Sequence, residues 1–298
     1  MLNTQQLGHL KAFICVLVWG TTFVASKALM AYLTPLQLML LRFCLAYVVL
    51  WIIHPKWYFK WREEWRFLLM ALFANTLYYW AENTALTLTQ ASNVSILVST
   101  SPIVAAVFLA VFYKEKLSRR QILGFAAAFI GVVLVVFNGA VTLHLNPLGD
   151  MLALLASVSW AAYGMLLRRW SGDYPSVLIT RKLLFYAIIT VLPLLISSGE
   201  AYDFAGFLTF GNIARLAYLV LLGNAMCFIL WNSAVGTIGV LKSNMYIYMI
   251  PLLTLVASAI ALGEQITFMG FGGIILVLAG MTFATIKKDS ADKTEKVD

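Results

Sequence analysis

Glu82 stands within LYYWAENTAL (77–86), between an aromatic run and a threonine-rich apolar stretch. A carboxylate in such surroundings has two chemical uses: it takes up and releases a proton, or it holds a cation such as a substrate ammonium. The sequence leaves both open. Lys27 and Arg42 are competing partners for it, near the end of the first apolar run and about seven residues into the second. The bland alternative is an ion pair that only holds helices together. Asparagines form a second set: Asn75, Asn83, Asn93, Asn224 and Asn232. Amides both donate and accept hydrogen bonds, which suits a site that must hold and release a zwitterion or a neutral polar solute. Asn75 and Asn83 fall on roughly one helix face. Plain interhelical hydrogen bonding is the other use of such residues.

Further candidates lie in the same apolar runs. Trp19 and Trp160 are placed to stack on a substrate, to gate a cavity, or simply to pack. Tyr78, Tyr79 and Trp80 are consecutive, so they cannot all face one cavity; Tyr246 and Tyr248 invite the same caution. Lys242 either snorkels to an interface or offers a cation to a substrate carboxylate. Arg181 and Lys182 read as orientation charges. Pro102 and Pro251 each remove one helical hydrogen bond and bend a helix, as hinges or as static kinks. Gly124, Gly131, Gly273 and Gly280, spaced seven apart in each pair, allow close helix packing.

These residues need elements to hold them, and composition says which. Of the 298 residues 62% are hydrophobic and 11% charged, against about 25% charged in a soluble domain. Apolar stretches of roughly 20 residues, the bilayer length, recur throughout. The chain is therefore all-α and membrane-embedded, with spans at 9–31, 35–53, 66–88, 92–113, 120–138, 149–169, 176–196, 213–236, 240–262 and 268–286. If the third span enters at Arg66, Glu82 lies about 24 Å along it, in the outer half. The N-terminus lacks the marks of a cleaved signal peptide, so the first run is expected to be a retained span. Cys15, Cys44 and Cys227 lie in apolar runs without metal-ligand spacing, and read as buried thiols. No metal and no cofactor are expected.

Lys and Arg cluster at 54–66, 113–120, 168–174 and 287–296, and are missing from 138–150 and 197–212. Basic segments after every second span place both termini in the cytoplasm. Most of the net charge of +8 is thus an orientation signal, and nucleic acid is not a partner. The aromatic-rich first basic loop also suits the anionic inner leaflet.

The chain echoes itself. An offset of 149 aligns Asn75 with Asn224, Asn83 with Asn232, Pro102 with Pro251, Glu115 with Glu264, Gly124 with Gly273 and Gly131 with Gly280. Nearer the front, 140–141 aligns Trp19 with Trp160, Lys27 with Arg168, Pro35 with Pro175 and Arg42 with Lys182. Lys242 takes the place of Asn93. Copies of five spans each, an odd number, must lie inverted to one another, an architecture common among secondary transporters. The expected division is 1–140, 141–288, and a charged cytoplasmic tail 289–298.

The stretches VWGTTFVASKALM (18–30), LTPLQLMLLRF (33–43), 85–135 and its echo 246–281 resemble the drug/metabolite transporter superfamily, in particular its ten-span EamA-type branch. The resemblance covers nearly the whole chain. It implies two inverted five-helix repeats around a central cavity lined by the first, third and fourth helices of each. Members of that branch include exporters of amino acids and other small metabolites.

Absences narrow the field. There is no GxxxxGK[ST] phosphate loop, no HExxH and no GxSxG, and His9, His54 and His144 lie at or outside span ends. An enzyme is not expected. The expectation is a multi-pass secondary transporter of the cell (inner) membrane, sufficient as a monomer, exporting amino acids or related amphipathic compounds. Proton coupling and facilitated diffusion are both open. Alternatives are a nucleotide-sugar or sugar-phosphate exchanger of the same fold, which needs several cations facing the cavity, and a non-transporting sensor or assembly partner.

Overall fold

A computed structural model describes residues 3–89, 91–137, 146–202, 204, 206–253, 256 and 267–285, without the side chains of 91–93 and 285. The helices begin where capping chemistry starts them. Asn3 and Gln6 form a capping box for α1 (Thr4–Leu29), and Thr34 and Gln37 form one for α2 (Pro35–Ile53), with Pro35 in its first turn. Each box satisfies two backbone donors that a helix start leaves open. The third rod joins α3 (Trp61–Ala71), a π-helical segment Leu72–Leu77 and α4 (Tyr78–Leu88).

Beyond it come α5 (Ala91–Val98), α6 (Ser101–Phe112) and α7 (Arg119–Phe137). Asn146 then caps α8 (Pro147–Trp170), followed by α9 (Ser176–Ser198). The eighth rod repeats the construction of the third: α10 (Phe210–Tyr218), a π segment Leu219–Met226, then α11 (Cys227–Ile238). The last two helices labelled are α12 (Val240–Met245) and α13 (Phe268–Thr285).

Among the described residues, seven helices are long and apolar enough to cross a membrane. The third rod is not one of the seven, because Asn75, Glu82, Asn83 and two tyrosines dilute its apolar run. Sequence placed the fourth span as one helix over 92–113; it is broken at Ser99 and Thr100 into α5 and α6. The expected span 240–262 is described only to 253 and at 256.

The packing pairs α1 with α11, α4 with α8, α2 with α9, and α7 with α13. Antiparallel α7 and α13 touch through their glycines. A Cβ on Gly124 would stand 2.6 Å from the Gly280 carbonyl oxygen, and one on Gly131 would stand 2.8 Å from that of Gly273. Only hydrogen fits in that gap, and the two backbones come into direct contact.

At one end of the bundle, charges and tyrosines tie α3 to α9 and to the turn before it. Lys182 lies between both carboxylate oxygens of Glu64, at 2.8 and 2.9 Å, and Tyr186 donates to Glu64 at 2.6 Å. Glu63 accepts from Tyr58 and, at 2.7 Å, from Tyr174. Arg66 reaches Asp173 at 3.5 Å. Arg181 donates to the His54 and Lys56 carbonyls, so it caps the α2 C-terminus. Arg181 and Lys182, read from sequence as orientation charges, are both buried here.

Candidate functional site

Trp19 and Trp160 meet at the centre of the molecule, edge to face, with ring centroids 5.3 Å apart. Both indole N–H groups are bonded: Trp19 donates to the Gly223 carbonyl in the other half of the chain and Trp160 to Asn244 Oδ1 in its own, both at 3.2 Å. Trp231 and Phe228 close on Trp19 at 5.0 and 6.0 Å, and Tyr78 on Trp160 at 5.2 Å. The tryptophans thus both pack and line. Beside them lies a cavity of about 30 Å³, room for roughly two waters. Its wall includes Tyr78, Tyr79, Glu82, Ser101, Trp160 and Phe228. An organic solute enters only if these rings part.

Two polar side chains of the wall carry an unsatisfied atom. Glu82 is 7% exposed and its Oε2 has no partner; the Ser101 hydroxyl likewise has none. A buried carboxylate oxygen without a donor is costly in a low-dielectric interior.

The cation facing it is Arg42. Arg42 is 2% exposed, donates from Nε to Asn224 Oδ1 at 2.9 Å and from Nη1 to Ser26 Oγ at 3.2 Å, and stacks 4.8 Å over the Tyr79 ring. No ion pair joins it to Glu82, but Tyr79, over which it stacks, lines the same cavity as Glu82. Lys27 is exposed on the outer face of α1, without an ion pair to Glu82. Between the two partners sequence offered for Glu82, the geometry therefore selects Arg42 and turns Lys27 away.

The asparagines divide. Asn224 accepts from Arg42, and Asn232 accepts from Tyr163 and donates to Thr180 at 3.0 Å. Asn75 is fully buried with both amide atoms unbonded, and Asn83 keeps an unpartnered Nδ2. Asn75 and Asn224 each sit in a π segment, where the widened turn changes the aim of the side chains that follow. The side chain of Asn93, with His144 and Glu264, lies outside the described residues. Lys242 is half-buried in the last turn of α12 and does not reach the cavity. Of the consecutive aromatics, Tyr78 and Tyr79 line the cavity and Trp80 points away, 36% exposed. Cys15 and Cys227 are buried, but Cys44 is only half-buried.

Pro102 starts α6 just after the break at Ser99 and Thr100, in the first turn, where a missing N–H is tolerated. It does not kink a continuous helix. Pro251 follows a 3₁₀ turn at Tyr246–Tyr248. Sequence reasoning missed Ser101 and the Glu64 carboxylate. Glu64 was legible: it shares a buried face with Phe67 and Ala71 at helical spacing.

The chain as a whole matches known proteins in sequence and in fold. The model of the EamA-like transporter family matches residues 6–137 and again 147–286. The chain belongs to that family, and it is a multi-pass membrane transporter acting on a small-molecule substrate. A protein of Archaeoglobus fulgidus named "uncharacterized transporter" is 30% identical over 290 residues, 94% of this chain and 98% of that one. A "probable amino-acid metabolite efflux pump" of Salmonella typhimurium is 26% identical, covering 91% and 92%. Its namesake in Escherichia coli is 24% identical over the same shares. A solved crystal structure matches with a TM-score of 0.76 at 17% identity, covering 93% of this chain and 96% of that one, which shows the fold alone.

Proposed function

We propose that the chain is a ten-span secondary transporter that exports amino acids or related amphipathic compounds. It works as a monomer in the cell (inner) membrane, both termini cytoplasmic, by alternating access between two inverted five-helix repeats. The observation that carries this reading is the unpartnered oxygen of Glu82 in an aromatic-walled central cavity, with Arg42 behind Tyr79. A carboxylate and a guanidinium of this kind complement the ammonium and the carboxylate of a zwitterion, and the rings suit an apolar side chain. The names of the Salmonella and Escherichia relatives point the same way.

Support for inverted repeats comes from the packing. Exchanging the halves turns the α1–α11 contact into α8–α4 and returns α2–α9 and α7–α13 to themselves. A sugar-phosphate or nucleotide-sugar substrate is disfavoured, because Lys182 is neutralised by Glu64 and Lys242 stays outside the cavity. The test is flux in liposomes over a panel of labelled amino acids, aromatic amines and sugar phosphates, with and without a proton gradient. Flux of amino acids, stimulated by the gradient in wild type and not in Glu82→Gln, is the expected result. Flux confined to sugar phosphates overturns the substrate class, and a gradient response retained in Glu82→Gln removes the carboxylate from coupling.

A further inference from the structure

Arg42 and Lys182 hold equivalent places. Each lies seven residues beyond a proline that opens its helix, Pro35 and Pro175. Each of their helices packs against a rod whose π segment carries an asparagine: α2 against the segment with Asn224, α9 against the segment with Asn75. Their engagements differ. Arg42 donates to Asn224 at 2.9 Å. Lys182 is turned to Glu64, and Asn75, which stands to Lys182 as Asn224 stands to Arg42, has neither its oxygen nor its nitrogen bonded.

A fully buried amide without any partner is expensive. It is understandable where another state of the molecule supplies the partner. We propose that Asn75 is a second docking point for Lys182: in the opposite-facing state the ammonium leaves Glu64 and donates to Asn75, while Arg42 gives up Asn224. This inference rests on the alternating-access reading above.

Three features make the exchange feasible. Glu64 keeps two donors when Lys182 leaves, the Tyr186 hydroxyl at 2.6 Å and the Lys60 backbone N–H at 3.2 Å, although its charge loses the cation. The rings of Tyr58, Phe59 and Phe67 stand 5.3–6.0 Å from the Lys182 ammonium and give a cation a tolerable path. Glu64 and Asn75 lie eleven residues apart on one rod, about 16 Å of rise. Reversal of a four-carbon lysine stem, with a one-turn slip of the helices of about 5 Å, bridges that interval.

The test is hydrogen exchange of the purified full chain in nanodiscs, followed in peptides covering 54–66 and 171–186. Asn75→Leu removes the second docking point and should slow exchange there. Asn75→Asp strengthens it and should speed exchange in the same peptides. The difference between the variants should be about tenfold or more, the size of one hydrogen bond to a charged group. Glu64→Gln should act like Asn75→Asp. A merely structural Asn75 predicts faster exchange near 72–77 in both variants. Same-sign responses at 54–66, or no response, overturn the proposal. Flux is measured in parallel: if no solute of the panel moves, alternating access fails as a reading, while opposite signs at 54–66 still establish the exchange of partners.

Discussion

Two buried cations, at corresponding places in the two halves of the chain, have opposite electrostatic situations. Lys182 is neutralised by direct contact with Glu64. Arg42 has amide and hydroxyl partners, and the carboxylate facing it, Glu82, stays out of contact with an oxygen unbonded. The first arrangement closes an end of the bundle; the second leaves both charges open to a third party. Burial alone does not distinguish a charge that is neutralised in this state from one that is not. What distinguishes them is whether the neutralising group is already in place.

The largest expected effect sharpens that contrast at Glu82. Glu82→Gln should abolish stimulation of liposome flux by a proton gradient, whereas Lys27→Ala, at an exposed position, should leave flux and gradient response near wild type. An equal loss in both would return Lys27 to the site. Next in size is Lys182→Met, which strands the Glu64 charge. Thermal unfolding in detergent should report a loss of about 3–5 kcal/mol, largely recovered in Lys182→Met/Glu64→Gln. Failure of the double variant to recover would mean that the pair is not the unit that matters.

Arg42→Lys keeps the charge but loses the guanidinium fork that spans Asn224 and Ser26. Flux should fall about tenfold with little change in unfolding temperature; a fall in stability instead would class Arg42 with Lys182. The smallest effect belongs to Glu63 at the closed end. Hydrogen bonds from Tyr58 and then Tyr174 hold its carboxyl down at about 2, from an ordinary 4.5. A carboxylate depressed in the folded state stabilises fully above its unfolded value, and that contribution fades as pH falls from about 4.5 through about 2. Tyr58→Phe should therefore soften the acid dependence of unfolding in that window, and an unchanged acid limb would break the assignment.

Much of this was legible before any coordinates. Apolar run length marked most of the helices, and the paired offsets brought Trp19 to Trp160 and Asn75 to Asn224 as counterparts. Side-chain direction was not legible where hydropathy is nearly uniform around a helix. In α1 and α2 little in the residue pattern tells Lys27 from Arg42, yet one faces outward and the other is 2% exposed. The π segments were likewise hidden, since LFANTL and LVLLGNAM contain nothing that a regular helix would refuse.

Those π segments place a constraint on the reading frame of the rods themselves. Each residue of a regular helix turns the chain by about 100°, and a π turn accommodates one residue more than an α turn. Everything after Leu77 therefore points where it does because the surplus residue upstream is taken up in a π turn. Deleting one residue within 72–77 should let the rod relax to a regular helix with Tyr78 and Glu82 still facing the cavity, whereas regularising the segment with all its residues kept would rotate both by roughly 100°, with no change to either side chain. The orientation of the site is thus encoded partly as a count of residues, not only as their kinds.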